Sequence, residues 1–182
     1  MSLLCGYIGQ RDDKRLARMS SHVKHGNLKT IEYIHYQDLH IAYAPDHCST
    51  QKAGIHYNDN SLIALAGMPH CQIKNLLEKL SRSNSSETVR DILNSIHGSY
   101  TGLIQHHNKT YLFRDKAGKR TLFFSKINNQ LYFATESSIL YKLEQFSPSL
   151  SPSSIAQYLA FSYVPGENTM LTAIALATRP WC

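Results

Sequence analysis

The sequence predicts an α+β fold: two packed sheets, built largely of antiparallel hairpins, with helices against them. Two observations carry this. Short runs of β-branched, aromatic and aliphatic residues are separated by Asn, Asp and Gly turns at hairpin spacing. Between two such blocks lie two adjacent segments whose apolar residues recur at helical spacing. The 182 residues are enough for one domain with a real core.

The elements follow in order. Cys5–Gly9 is a short apolar strand ending in glycine, and residues 11–23 are charged with Leu16 and Met19 spaced for a helix. Residues 30–36, 39–44 and 61–66 read as strands, with His56–Asn60 as a hairpin turn before the last. Gln72–Leu80 places Ile73, Leu76, Leu77 and Leu80 on one helical face. After the polar break 81–86, Ser86 is expected to cap a second helix, 87–96, with Val89, Ile92, Leu93 and Ile96 on its face. Strands are then expected at 99–105, 110–114, 121–124 and 130–135. Turns fall at Asn108-Lys109, Gly118 and Asn128-Asn129, and a short helix at 137–143. The Ser/Pro stretch 147–153 has linker composition, and Ser153 is placed to cap a last helix, 154–161.

Composition narrows the function classes. Hydrophobic residues make up 42% and charged residues 18%, which argues against disorder. The formal charge is +6, but Lys and Arg are spread along the chain and form no polybasic run. The charge therefore reads as a solvated surface rather than a nucleic-acid footprint. Cys5, Cys48, Cys71 and Cys182 form no CxxC framework, and no apolar run approaches membrane-spanning length. A cytoplasmic protein with free thiols, no membrane contact and no metal is the expectation. The two His-Cys pairs, His47-Cys48 and His70-Cys71, lack the tight spacing of a metal site.

Several segments, in order, resemble class II glutamine amidotransferases, specifically the N-terminal domain of asparagine synthetases. Cys5-Gly-Tyr-Ile-Gly9 is similar to that family's opening Cys-Gly-Ile-x-Gly. His97-Gly-Ser-Tyr-Thr-Gly102 stands where the family has Gly-x-Phe-Ala-Phe. Residues 113–124, from Phe113-Arg114-Asp115 to Leu122-Phe123-Phe124, match Ala-Arg-Asp-x-x-Gly-x-x-Pro-Leu-Tyr-Tyr. Leu131-Tyr-Phe-Ala-Thr-Glu136 matches Leu-Tyr-Phe-Ala-Ser-Glu, and residues 158–169 resemble the stretch that leads into the family's ATP-using synthetase half. The resemblance implies a four-layer αββα sandwich of the N-terminal-nucleophile hydrolase type. It also implies an amidotransferase-like domain at 1–146 and a linker at 147–182 leading toward a synthetase domain absent from this chain.

What the resemblance implies chemically is glutamine hydrolysis by a Cys5 thiolate whose own free α-amine takes the proton. An oxyanion hole would draw on the Gly67 backbone N–H. As written, Cys5 lies inside the chain, so its nitrogen is an amide and cannot be that base; removing Met1 would expose Ser2 instead. Cleavage after Leu4, or translation starting at Leu4, would free it. The family's Asn-Gly-Glu becomes Ala66-Gly67-Met68, its His-Arg-Gly-Pro-Asp loop becomes Lys24-His25-Gly26-Asn27, and Ile41–Ala44 lacks the family's arginine. Losing one oxyanion donor costs about 10²–10³ in rate. The residues that would bind substrate are not assignable, and Arg114, Asp115 and Glu136 read as structural.

Three readings stand side by side. In the first, this is a degenerate amidotransferase domain acting as a scaffold, as in the resembling β-lactam synthetases and lasso-peptide cyclases, for a synthetase unit in cis or in trans. In the second, it is an active glutaminase that takes glutamine and supplies ammonia for asparagine synthesis once Cys5 is exposed. In the third, it is a small basic binding module without that ancestry. None gives the chain a cofactor of its own. ATP and Mg²⁺ would belong to the synthetase domain, whose Ser-Gly-Gly-x-Asp-Ser signature is missing here. A homodimer is compatible with all three.

Overall fold

A computed structural model describes residues 2–23, 30–45, 53–82 and 85–177. Among them are ten strands and five helices. Strand β1 is Leu3–Ile8, followed by helix α1, Asp13–Ser21. Strands β2 (Glu32–Tyr36), β3 (Leu39–Ala44), β4 (Gly54–Tyr57) and β5 (Ser61–Pro69) come next. Helices α2 (Ile73–Ser81) and α3 (Ser86–Ser95) lead into β6 (Gly98–His106) and β7 (Lys109–Arg114). Strands β8 (Phe123–Ile127) and β9 (Gln130–Ala134), α4 (Ser137–Tyr141), α5 (Pro152–Phe161) and β10 (Ala175–Leu176) complete the order.

The strands form two antiparallel sheets. Sheet A has the order β10-β8-β9-β1-β3-β2 and sheet B the order β4-β5-β6-β7. Three apolar clusters hold four layers together. Leu16 and Met19 of α1, with Ile139 and Leu140 of α4, pack on one face of sheet A against Leu3, Tyr7 and Tyr132. Leu4, Ile41, Tyr43 and Phe133 of sheet A meet Leu62, Ala64, Ala66 and Leu103 of sheet B. On the far face of sheet B, Ile63 and Leu65 pack against Leu76, Leu80, Val89 and Ile92 of α2 and α3. The chain is the four-layer αββα sandwich expected. Each sheet buries both faces, so its central strands are buried along nearly their whole length: β5 is buried at eight of its nine positions, the exception being Met68.

Local chemistry sets the turns and helix ends. Asn128 and Asn129 both take left-handed φ angles, 48° and 61°, which suit the tight β8–β9 hairpin. Asp12 caps α1 by accepting from the Arg15 N–H. Helices α3 and α5 start earlier than the sequence implies. Ser85, not Ser86, caps α3 by accepting from the Glu87 N–H, and Ser151, not Ser153, caps α5 ahead of Pro152. A proline at the first helical position has no N–H to satisfy, so it fixes the start of α5. His56 and Tyr57 extend β4 rather than turning. The turn sits at residues 58–60, where Asn58 Oδ1 accepts from the Asn60 and Ser61 N–H groups.

The stretch 147–182, expected to be a linker, is fastened to sheet A and its core at residues 171–177. β10 pairs with β8, the Ala177 N–H donates to Leu122 O at 2.7 Å, and Leu171 and Ile174 pack into the α1/α4 side of the core. The segments Lys24–Asn27 and His47-Cys48 lie outside the described residues, as do 178–182. No helix among the described residues is long and apolar enough to cross a membrane.

Candidate functional site at the mouth between the sheets

The site implied by the sequence has two parts, Cys5 on β1 and Gly67 on β5. β1 is the central strand between β9 and β3, with Cys5 opposite Ala134 on one side and Ala42 on the other. Side chains alternate across a strand. Leu3, Cys5 and Tyr7 therefore face α1 and α4, while Leu4 faces sheet B. The Cys5 thiol is fully buried among small neighbours, including Ala42, Ala44 and Ala134. Burial pushes its pKa far above the usual thiol range, and the Glu136 carboxylate adds to this. The thiolate needed for attack is thus strongly disfavoured here. The residues ahead of Cys5 are built into the same strand. Leu4 O accepts from the Thr135 N–H at 2.9 Å, and the Leu4 N–H reaches Thr135 Oγ1.

Gly67 lies in the other sheet, opposite Tyr100. Its φ of 114° and a Ser99 carbonyl 2.5 Å from where a Cβ would stand leave room only for glycine. By alternation, Ala66 and not Gly67 points toward sheet A, where it joins the inter-sheet core. Met68 is exposed. The structure therefore places Cys5 and Gly67 in different layers, with the β1 backbone and the inter-sheet core between the thiol and sheet B.

The residue that does meet Ala66 is Ser2. It lines a small cavity with Ala66, Thr101, Arg120, Thr121 and Thr135, where the ends of both sheets come together. Ser2 is 3% exposed, and its Oγ has no hydrogen-bond partner. The cavity holds ≈ 10 Å³, room for about one water. Nothing in the sequence motif pointed to Ser2. Alternation alone puts Ser2 and Cys5 on opposite faces of β1, but it does not say which face looks toward the second sheet.

The charged residues of the matched motifs, adjacent in sequence to this cavity's lining, are built into the frame. Asp115 is 2% exposed, and its carboxylate accepts from three backbone N–H groups: Ala117 at 3.0 Å, Lys119 at 3.2 Å and Arg120 at 3.1 Å. It thereby fixes the loop that carries Arg120 and Thr121. Gly118, at φ 66°, turns that loop against the Arg114 guanidinium. Glu136 leads into α4 and accepts from the Ser138 hydroxyl. Thr101 donates to Phe113 O and Thr121 to Thr135 O, so these hydroxyls tie strands together.

A family model described as "Glutamine amidotransferase domain" matches residues 83–178, just over half of the chain. The chain belongs to the glutamine amidotransferase domain family. Within it, the asparagine-synthetase type is supported by a 31% identical stretch of 77 residues in asparagine synthetase [glutamine-hydrolyzing] 1 of Bacillus subtilis (strain 168). That stretch covers 41% of this chain and 12% of the relative's length. Among solved structures, the amidotransferase domain resembles glutamine phosphoribosylpyrophosphate amidotransferase from B. subtilis, with a TM-score of 0.57 at 12% identity, covering 76% of this chain and 42% of that one. It also resembles a protein described as the allosteric regulatory enzyme of purine biosynthesis, with a TM-score of 0.55 at 13% identity, covering 77% and 43%. At such identities these two likenesses speak for the fold. The family match sets aside the reading of a basic module without amidotransferase ancestry.

Proposed function

We propose that this amidotransferase domain does not hydrolyse glutamine through Cys5 and that it serves as a structural partner of an ATP-dependent amide-forming unit, in the same chain or a separate one. One observation carries the reading. The cavity between the sheets has space for about a single water and is reached by Ser2, while Cys5 is sealed on the other face of β1. A glutamine side chain has no room beside Ala66, and burial strongly disfavours the Cys5 thiolate that would attack it. ATP and Mg²⁺ would be held by the partner unit, since this chain offers no glycine-rich phosphate loop.

The surface supports the scaffold role. Helix α5 and the turn after it bury little of themselves: Leu159 is 79% exposed, and Tyr158, Phe161 and, just past the helix, Tyr163 are also exposed. A cluster of exposed aliphatic and aromatic side chains marks an interaction surface. It lies on the stretch that, by resemblance, leads toward the synthetase half.

The test is direct. Ammonia release from glutamine is measured for the full chain and for a version beginning at Cys5, each with and without Cys5→Ala. No Cys5-dependent turnover is expected in either version. Turnover abolished by Cys5→Ala would overturn the proposal and favour an active glutaminase. In parallel, the double variant Leu159→Asp, Phe161→Asp should weaken co-purification with the adenylating unit encoded in the same or a neighbouring reading frame.

A further inference from the structure

Three rings stand in a row across sheet A. Tyr7 of β1 is in register with His40 of β3, and His40 with His35 of β2. The Tyr7 and His40 ring centroids are 5.0 Å apart, and those of His35 and His40 5.1 Å. Side chains in register on neighbouring strands share a face, and Tyr7 packs with α1 and α4. Both histidines therefore look toward the start of α1, on the opposite face of the sheet from the inter-sheet cavity. His40 is 2% exposed and His35 is half-buried.

The ring nitrogens of the two histidines are joined end to end. His40 Nε2 lies 3.0 Å from Gly9 O, the two Nδ1 atoms lie 3.0 Å from each other, and His35 Nε2 lies 3.3 Å from Asp13 Oδ1. Counting protons along this chain decides its charge. A carbonyl oxygen only accepts. Arg11 donates to both Asp13 oxygens, at 2.9 and 3.1 Å, and holds that carboxyl below the usual carboxylate range, so it is ionised and only accepts too. Each contact then needs an N–H proton from an imidazole, three in all, and two neutral imidazoles carry two. A neutral pair must leave either two ring lone pairs facing each other or a lone pair facing a carboxylate. One added proton completes all three contacts.

We infer that His35 and His40 together bind a single proton, which fastens the β2–β3 hairpin to the start of α1. The proton lies between the two Nδ1 atoms, so that His35 Nε2–H donates to Asp13 while His40 Nε2–H stays on Gly9 O. When the proton leaves, the Asp13 contact is the one released, because Asp13 is 63% exposed and water can replace the imidazole there. A second proton is opposed by like charge at 3.0 Å. The groups facing the pair come from every neighbouring element. Tyr7 of β1 has its hydroxyl engaged by the Asp12 backbone and Arg15 over its ring. Arg11 opposes the proton and Asp13 favours it. Asp38, in the hairpin turn, accepts from the Gly9 N–H through its carbonyl and from Gln105 Nε2 through its carboxylate. Burial first, then Arg11 and His40, hold His35 below the ordinary histidine value of 6.5, so the proton goes on in mildly acid solution. Arg11, Asp13 and His35 also line a cavity of ≈ 310 Å³ between α1 and β2, together with Leu16, Ala17 and Tyr33, so closing the contact draws its rim together. The inference does not depend on whether Cys5 is reactive.

Long-range ¹H–¹⁵N NMR of the imidazoles in the whole chain tests it, with His35→Gln and His40→Gln used to assign the two rings and the pH lowered from about 8 to about 5. Both rings should respond with one common midpoint below 6.5 and take up one proton between them, while His40 keeps its Nε2–H throughout. The amide shifts of Asp13, Ala17 and Tyr33 should follow the same midpoint. Asp13→Asn, which keeps the shape but removes the anion, should lower the midpoint by about 0.5, the size expected of a partly exposed ion pair. Arg11→Gln gives an independent arm and should raise it. Rings that stay neutral down to about pH 5, rings that each take up a proton at separate midpoints in that range, or a midpoint that neither substitution moves would overturn the inference.

Discussion

Cys5 should alkylate far more slowly than Cys71 in the folded protein. The side chain of Cys5 is fully buried in the central strand of sheet A, hydrogen-bonded on both sides by β9 and β3, whereas Cys71 is half-buried at the entry to α2. A reagent can reach Cys5 only when the strand opens, and a core strand opens at close to the cost of global unfolding. Taking the lower end of ordinary domain stability, about 5 kcal/mol, and about 1.36 kcal/mol per tenfold, opening alone slows the reaction on the order of 10³–10⁴-fold. The raised pKa of the buried thiol acts in the same direction, by depleting thiolate in the closed state. Iodoacetamide labelling with peptide mapping reads the sites separately, and adding denaturant should bring Cys5 to the rate of an ordinary thiol. Labelling of Cys5 within about tenfold of Cys71 in native buffer would refute the burial argument and, with it, the case against a nucleophilic Cys5.

Two further outcomes are expected. Asp115→Ala should lower unfolding free energy by roughly 3 kcal/mol or more in denaturant titration, because three backbone donors lose a charged acceptor; Asp115→Asn, which keeps one acceptor oxygen, should cost less. His22 and His56 are both held below the ordinary histidine value of 6.5, first by burial, then by Lys142 and Arg18 beside His22 and by Lys74 beside His56. The unfolded chain takes up these protons at higher pH than the folded chain, so their contribution is complete above 6.5 and is lost as pH falls through that value toward the lower folded ones. The melting temperature should therefore drop between about pH 7.5 and about pH 5.5, and His22→Gln with His56→Gln should flatten that slope.

Much of the fold is written locally. Asn128-Asn129 can form a tight hairpin whatever surrounds it, because both residues tolerate left-handed backbone. The spacing of Ile73, Leu76 and Leu80, and of Val89, Ile92 and Ile96, states a helix and the face it buries. β8 was harder to place: it runs 123–127 rather than 121–124, because Asp115 holds the preceding loop and Thr121 is engaged by Thr135 O before the strand begins. β10 has no signal of its own; its two residues become a strand only by pairing with Phe123 and Phe124.

The sequence by itself determined the family, through the order of its motifs, and the helix faces and hairpin turns, through spacing and backbone preference. Only the tertiary structure decided which face of β1 meets the second sheet, and so that Ser2 rather than Cys5 reaches the inter-sheet cavity. The reason is that β1 is buried on both sides from Leu3 through Tyr7. A strand covered on both faces carries no polar–apolar alternation, so its facing is set by pairing with β3 and β9 and by the layers packed above and below it.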